Sequence, residues 1–119
     1  KLHSYWCCSI GTFPPMGAHF KPPAVEDVVP VAQQLAAKYP DTSVNWNTGN
    51  NYDYSAWSQE SFGLAKKYAY ANLQELTEPS QQYNDVATDV CQKQVVIAGY
   101  RLAALLNAVW PDASSPSTT

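Results

Sequence analysis

The spacing of hydrophobic and polar residues along the chain predicts helices joined by long loops. Hydrophobic side chains recur every three or four residues over residues 25–39, 55–76 and 82–109, which is the spacing of one face of an α-helix. Residues 1–8 fit the end of one more helix. The predicted fold class is therefore all-α.

The first long helix, residues 25–39, has clear signals at both ends. Glu26 and Asp27 favour its first turn, Lys38 favours its last, and Pro40 ends it. Pro30 lies close enough to the start to be tolerated or to bend the helix. One hydrophobic stripe is predicted to face the core: Val28, Val31, Leu35 and Ala36.

The other two helices are predicted to form most of the core. Asp53 can cap the helix over residues 55–76, and hydrophobic residues on two faces of that helix indicate that it is sandwiched. On the helix over residues 82–109, one stripe is expected to be buried: Cys91, Val95, Ala98, Leu102, Leu105 and Val109.

Loops and a tail make up the rest. Glycines and prolines exclude a helix over residues 11–23, and residues 41–53 are rich in turn formers. In that second loop we expect Trp46 to bury its ring against the helices, although it could instead stack on a ligand. Residues 1–110 are predicted to form the helical region, and the Ser/Thr/Pro-rich residues 111–119 a flexible tail.

Composition narrows the classes of function. A chain of 119 residues with 45% hydrophobic residues can bury one core. A net charge of -3 without a Lys/Arg cluster argues against binding nucleic acid through a basic surface. The most apolar segment, residues 95–110, is interrupted by Gly99, Arg101 and Asn107 and is too short to span a bilayer.

The side chains best suited to bind a metal ion lie at positions 3 and 7. His3 and Cys7 are four residues apart on the predicted first helix, so both could reach one metal ion. His19 lies in a glycine-containing loop, where a solvated or hydrogen-bonded role is expected; it could supply a further ligand only if the loop folds back.

Three short segments, in order along nearly the whole chain, resemble the C-terminal part of the S1/P1 nucleases. That family comprises zinc-dependent phosphodiesterases related to bacterial zinc phospholipases C. The segments are His3-Ser4-Tyr5-Trp6; Trp57-Ser58-Gln59-Glu60-Ser61, with Leu64, Ala65 and Tyr68 after it; and Gly99-Tyr100-Arg101-Leu102-Ala103, with Leu106 and Asn107 after it.

The resemblance implies a zinc site. In the family the first segment continues as Leu-His-Ser-x-Trp-Asp, and its His and Asp bind one of three clustered zinc ions. Carried over to this sequence, His3 is a zinc ligand and Cys7 stands where the Asp is expected. The family's other ligands belong to an N-terminal part, so we expect this chain to be inactive until that part or a second chain completes the cluster.

Two roles for Cys7 remain open. As a thiolate it could bind zinc in place of the carboxylate. Alternatively it is structural, because the chain has three cysteines and a disulfide could join Cys91 to Cys7 or Cys8. Adjacent cysteines rarely bridge each other, and a remaining thiol could link two copies of the chain.

Arg101 and the tyrosines also have two interpretations each. We expect the stem of Arg101 to cover apolar surface while its head reaches water, although pairing with a buried carboxylate near the metal site is the alternative. The tyrosines are expected to pack rather than to stack on bases, so no base-binding site is assigned.

Three functions follow as hypotheses. The first is the C-terminal portion of a secreted or periplasmic zinc phosphodiesterase that acts on single-stranded nucleic acid once complete. The second is a non-catalytic extracellular module that keeps the helical scaffold and self-assembles. The third is a lipid-directed relative of the phospholipase branch, which would need an exposed apolar face beside the metals.

Overall fold

A computed structural model describes residues 2–7, 23–47, 53–71, 73 and 77–111. Every regular element in these ranges is helical, so the all-α prediction is confirmed. The elements are α1 (Leu2–Cys7), α2 (Val25–Lys38), a 3₁₀ turn (Asp41–Ser43), α3 (Tyr54–Leu64), a π-helix that continues α3 (Ala65–Ala69), and α4 (Gln81–Val109).

The helix α2 has nearly the predicted bounds, but the face that the sequence predicts to be buried is mostly exposed. Its first turn carries Glu26 and Asp27, and Pro30 lies within it without ending it. The predicted buried stripe is wrong, because Val28 and Val31 are 46% and 41% exposed. Ala36 is exposed as well, and of the four stripe residues only Leu35 packs against the core.

The helix α3 begins as predicted and ends early. The Asp53 carboxylate accepts a hydrogen bond from the Ala56 amide at 2.9 Å, which confirms the predicted cap. The predicted continuation beyond residue 69 is wrong: the backbone bends at Tyr70, whose amide donates to the Ala65 carbonyl at 3.1 Å in a π-type turn. The Tyr83 hydroxyl of α4 donates to the Ala69 carbonyl at 2.9 Å and so satisfies this helix end. Residues 72 and 74–76 lie outside the described residues.

The core lies where the end of α2, the following turn and the middle of α4 meet. Tyr39, Val44 and Ile97 are buried together, with Leu35, Trp46, Val96 and Tyr100 packed against them. The Trp46 and Tyr100 rings are 6.2 Å apart, and the Tyr100 hydroxyl donates to the Tyr39 carbonyl at 3.1 Å. Packing of Trp46 against the helices is thus confirmed.

The helix α4 buries a different face from the one that its hydrophobic stripe predicts. Val95, Leu102 and Val109 are 46%, 55% and 56% exposed. The buried residues are instead Ala87, Ile97 and Arg101. At about 100° per residue, Ile97 and Arg101 lie on roughly the opposite side of the helix from Val95 and Leu102. The predicted buried stripe is therefore wrong for most of its residues: only Cys91 and Leu105 are partly buried, and the other four are exposed.

The contacts of Arg101 explain why α4 buries this face. Its guanidinium binds the Glu60 carboxylate at 2.7 Å, its Nε donates to the Trp46 carbonyl at 3.0 Å, and it lies 4.9 Å from the centre of the Trp57 ring. Arg101 is only 8% exposed, so the expectation that its head reaches water is wrong. The alternative is correct in part: Arg101 pairs with a carboxylate, but that of Glu60 is 28% exposed and belongs to α3 rather than to the helix with the candidate metal ligands. A buried guanidinium needs these partners, so α4 turns Arg101 towards α3.

A second polar contact joins α2 to α4. The Tyr39 hydroxyl donates to the Asp89 carboxylate at 2.5 Å, and the Lys38 ammonium lies 3.4 Å from the same carboxylate. The hydrogen bond from Tyr39 is the main cause that lowers the pKa of Asp89, and burial followed by this hydrogen bond raises the pKa of Tyr39. Both shifts favour the pair of a neutral tyrosine and an ionised aspartate.

This contact predicts a small pH dependence of stability. Since the folded pKa of Asp89 is lowered, its contribution is complete above pH of about 4 and is lost as the pH falls through the folded pKa. Asp89→Asn should therefore lower the melting temperature slightly near neutral pH, and the difference should vanish in acid. Asp89 is 56% exposed, so we expect an effect of less than about 1 kcal/mol. Asp85→Asn, on the same helix, is the matched control, and equal pH profiles for both variants would rule out this role for Asp89.

Candidate metal centre

The helix α1 carries both candidate metal ligands. His3 and Cys7 lie in the same helix four residues apart, so the predicted helical segment is confirmed. Residues at this spacing share one side of a helix and lie about 6 Å apart along its axis. The side chains of His3 and Cys7, and all of Cys8 and His19, lie outside the described residues, so the roles given to them remain predictions.

Trp6 fixes α1 to the rest of the molecule. Its indole N–H donates to the Tyr83 hydroxyl at 2.8 Å, and the two rings meet edge to face with centroids 6.2 Å apart. The Tyr83 hydroxyl, which accepts from Trp6, in turn donates a hydrogen bond to the Ala69 carbonyl. This Trp6–Tyr83–Ala69 chain ties together α1, α4 and the π-helix.

Tyr5 makes a second link to α4. Its hydroxyl donates to the side-chain oxygen of Asn84. Burial raises the pKa of Tyr5, and the neighbouring Tyr83 raises it further, so the hydroxyl stays protonated as a donor. A helix of six residues is not stable in isolation, so these contacts determine where α1 lies.

A cavity of about 710 Å³ opens beside α1. It lies between α1, the end of α3 with the π-helix, and α4, and its size is that of a typical ligand pocket. Leu2 and Trp6, the residues before His3 and Cys7, contribute to its wall. The other lining residues are Ser61, Leu64, Ala65, Ala69, Tyr70, Val90, Cys91 and Gln94. The wall of this cavity is thus mainly apolar.

The part of the chain that the structure describes contains no complete metal site. No group of three or more His, Cys, Asp or Glu side chains close enough to hold an ion occurs there. Zinc sites in proteins take three or four such ligands. A His3–Cys7 pair would therefore be a partial set, chemically suited to zinc and in need of further ligands.

Cys91 lies on the side of α4 that faces α1. It is partly buried and lines the same cavity as Leu2 and Trp6. This placement brings Cys91 to the part of the fold that carries Cys7. A disulfide from Cys91 to Cys7 or Cys8 stays a prediction, since it depends on side chains outside the described residues.

A comparison with known protein families shows which family the chain belongs to. The S1/P1 Nuclease family model matches residues 1–111. The chain belongs to the S1/P1 nuclease family. This supports a nuclease-type hydrolase, and S1/P1 nucleases are generally zinc-dependent and secreted. Neither the curated proteins nor the solved structures gave a significant match.

Two of the family segments contact each other in this S1/P1 nuclease chain. Glu60 and Trp57, from the second segment, are the partners of Arg101 from the third. This contact lies in a structural core rather than at α1. These residues therefore maintain the scaffold, while the first segment carries the candidate ligands.

Sequence reasoning missed the residues that support α1. Tyr83 and Asn84 lie in the first turn of α4, which the Ser80 hydroxyl caps by accepting from the Tyr83 amide at 3.2 Å. Both contact residues nearly 80 positions earlier in the sequence. The Ser80 cap indicates that both residues lie in the first turn of a helix. No local sequence pattern indicates that α1 is their partner. Among the described residues, no helix is long and apolar enough to cross a membrane.

Proposed function

We propose that this chain is the C-terminal portion of a zinc-dependent phosphodiesterase that hydrolyses single-stranded nucleic acid outside the cytoplasm. The family match over residues 1–111 carries the proposal. The contacts of Tyr5 and Trp6 support it, because they attach the helix with the family's ligand segment to α4.

In this proposal His3 and Cys7 supply part of a metal cluster. Imidazole nitrogen and thiolate sulfur are both good zinc ligands, and a thiolate is the softer substitute for the family's carboxylate. The remaining ligands come from an N-terminal part of the protein or from a second chain. When bound, zinc lowers the pKa of water and polarises phosphoryl oxygens.

The charge of the chain fits phosphate binding through metal ions. A net charge of -3 repels a polyanion, and the sequence has no Lys/Arg cluster to offset it. We therefore expect nucleic-acid binding to depend on the metal ions, unlike binding through a basic surface. The completing part would pack against the mainly apolar cavity beside α1.

The experiment compares two preparations on a single-stranded oligonucleotide. The first is the protein purified from its native source with whatever is bound to it, and the second is the 119-residue chain alone. We expect zinc-dependent hydrolysis by the first, its loss with a chelator and its return with zinc, and no hydrolysis by the second. A native preparation that is inactive with zinc present would refute the proposal.

One observation favours a second candidate, a non-catalytic extracellular module that self-assembles. The C-terminal half of α4 exposes hydrophobic side chains at Val95, Leu102, Leu106 and Val109. A surface of this kind usually marks a protein contact. This candidate predicts stable multiples of the chain that neither bind zinc nor hydrolyse nucleic acid.

A further inference from the structure

The position of α1 depends on the first turn of α4. A helix of six residues is too short to be stable alone. Leu2 and Trp6 line the cavity of about 710 Å³, so part of α1 faces open space rather than packed side chains. Among the described residues, the side-chain hydrogen bonds that tie α1 to α4 go to Tyr83 and Asn84. Two consecutive residues of α4 therefore hold a helix that lies nearly 80 positions earlier in the sequence.

The hydroxyl of Tyr83 joins two groups of opposite kind. An indole N–H can only donate a hydrogen bond, and a backbone carbonyl can only accept one. The Tyr83 hydroxyl accepts from Trp6 at 2.8 Å and donates to the Ala69 carbonyl at 2.9 Å. Its single proton is thus used on one side and its lone pair on the other. Phenylalanine at position 83 would keep the ring and break both hydrogen bonds.

The turn that carries Tyr83 is itself well determined. The Ser80 hydroxyl caps α4 by accepting from the Tyr83 amide at 3.2 Å. The neighbouring Asn84 accepts from the Tyr5 hydroxyl, next to Trp6 in α1. Two adjacent residues of one helix thus bind two adjacent residues of the other, which restricts both sliding and rotation of α1.

A zinc site built on α1 would be sensitive to the position of this helix. Tyr5 and Trp6 lie between His3 and Cys7, so a shift at the anchored residues displaces the backbone at both candidate ligands. Zinc binds nitrogen and sulfur ligands within narrow ranges of distance. In addition, a partial ligand set has to meet ligands that come from elsewhere. Residues that hold metal ligands in place typically change metal affinity 10- to 100-fold when they are mutated.

We propose that Tyr83 is a positioning residue for the zinc site. Its hydroxyl holds α1 through Trp6, so that the segment with His3 and Cys7 meets the ligands of the completing part. This inference rests on the proposed function and gives Tyr83 no contact with metal or substrate. It differs from a purely structural role, in which loss of the hydroxyl would lower stability and leave zinc affinity unchanged.

The test compares zinc affinity of Tyr83→Phe and Tyr100→Phe in the complete protein, expressed in its native source. Tyr100 is the matched control because it lies in the same helix and its hydroxyl also donates to a backbone carbonyl, that of Tyr39, at 3.1 Å. Competition with a chelator measures the dissociation constant for zinc. We expect Tyr83→Phe to raise it about tenfold or more and Tyr100→Phe to change it less than about twofold, although both lower the melting temperature.

A second variant removes the other half of the same hydrogen bond. Trp6→Phe deletes the indole N–H and keeps an aromatic ring, so it should weaken zinc binding as well. The double variant with Tyr83→Phe should be weaker by less than the product of the two single effects, because both break one contact. This measurement also serves if Tyr83→Phe does not fold.

The outcomes separate this proposal from the proposed function. Equal zinc affinity in Tyr83→Phe and Tyr100→Phe, with zinc bound and oligonucleotide hydrolysed by the wild type, would overturn the role of Tyr83 alone. Fully additive effects of Trp6→Phe and Tyr83→Phe would do the same. A zinc-free wild-type preparation would refute the proposed function and this proposal with it.

Discussion

Replacing Arg101 by alanine is expected to lower the free energy of unfolding by about 3 kcal/mol. The substitution removes the ion pair with Glu60, the hydrogen bond to the Trp46 carbonyl and the contact with the Trp57 ring. It also leaves Glu60, whose side chain is only 28% exposed, without its cation. Urea denaturation followed by tryptophan fluorescence measures the change directly.

Two further variants test whether the loss comes from the buried pair. Glu60→Gln keeps the size and a hydrogen-bonding oxygen, so we expect a loss of about 1 kcal/mol. Lys67→Ala removes a cation from the exposed surface of the π-helix and should cost less than about 1 kcal/mol. If Arg101→Ala were no more destabilising than Lys67→Ala, Arg101 would not be the contact that joins α3 to α4.

Replacing Trp6 by alanine is expected to release α1 from α4. The variant lacks the hydrogen bond to Tyr83 and the edge-to-face ring contact, and six residues are too few to stay helical alone. We expect a loss of about 2 kcal/mol, which corresponds to roughly thirtyfold faster hydrogen exchange of the α1 amides. Hydrogen exchange with mass spectrometry resolves this local change from global unfolding.

Trp110→Ala is the control for this substitution. Trp110 is the same residue type and is 70% exposed at the end of α4. Its removal should leave exchange in α1 unchanged. Equal protection of α1 in the wild type and in Trp6→Ala would show that Trp6 does not hold the helix. The position of α1 beside α4 would then need another explanation.

Helix ends were predictable because local chemistry determines them. Asp53 caps α3 through the Ala56 amide, and Pro40 follows the end of α2. Each of these signals acts within a few residues, so it can be read without knowledge of the fold. The predicted and observed bounds of α2 and α4 agree to within one residue as a result.

The buried faces were not predictable, because they depend on contacts distant in sequence. The helix α4 carries two apolar faces, and periodicity favoured the one with Val95 and Leu102. The pair of Arg101 with Glu60, 41 residues earlier, selects the other. The end of α3 is similar, since Tyr83 reaches back 14 residues to the Ala69 carbonyl.

The candidate site was likewise predictable only in its local features. The spacing of His3 and Cys7 and the helix that carries them could be inferred from the sequence. The supports of that helix could not, because Tyr83 and Asn84 approach it only in the folded chain. A ligand segment is a local pattern, whereas the surface that holds it in place is a product of the whole fold.

Zinc content is the most direct test of the central claim that this chain provides part of a zinc phosphodiesterase. We would measure zinc by mass spectrometry in the natively purified protein, together with its intact mass without reductant. Zinc should be present, the mass should exceed 13.1 kDa because another part completes the site, and His3→Ala should lose the metal. A zinc-free preparation made only of disulfide-linked multiples of this chain would contradict the claim.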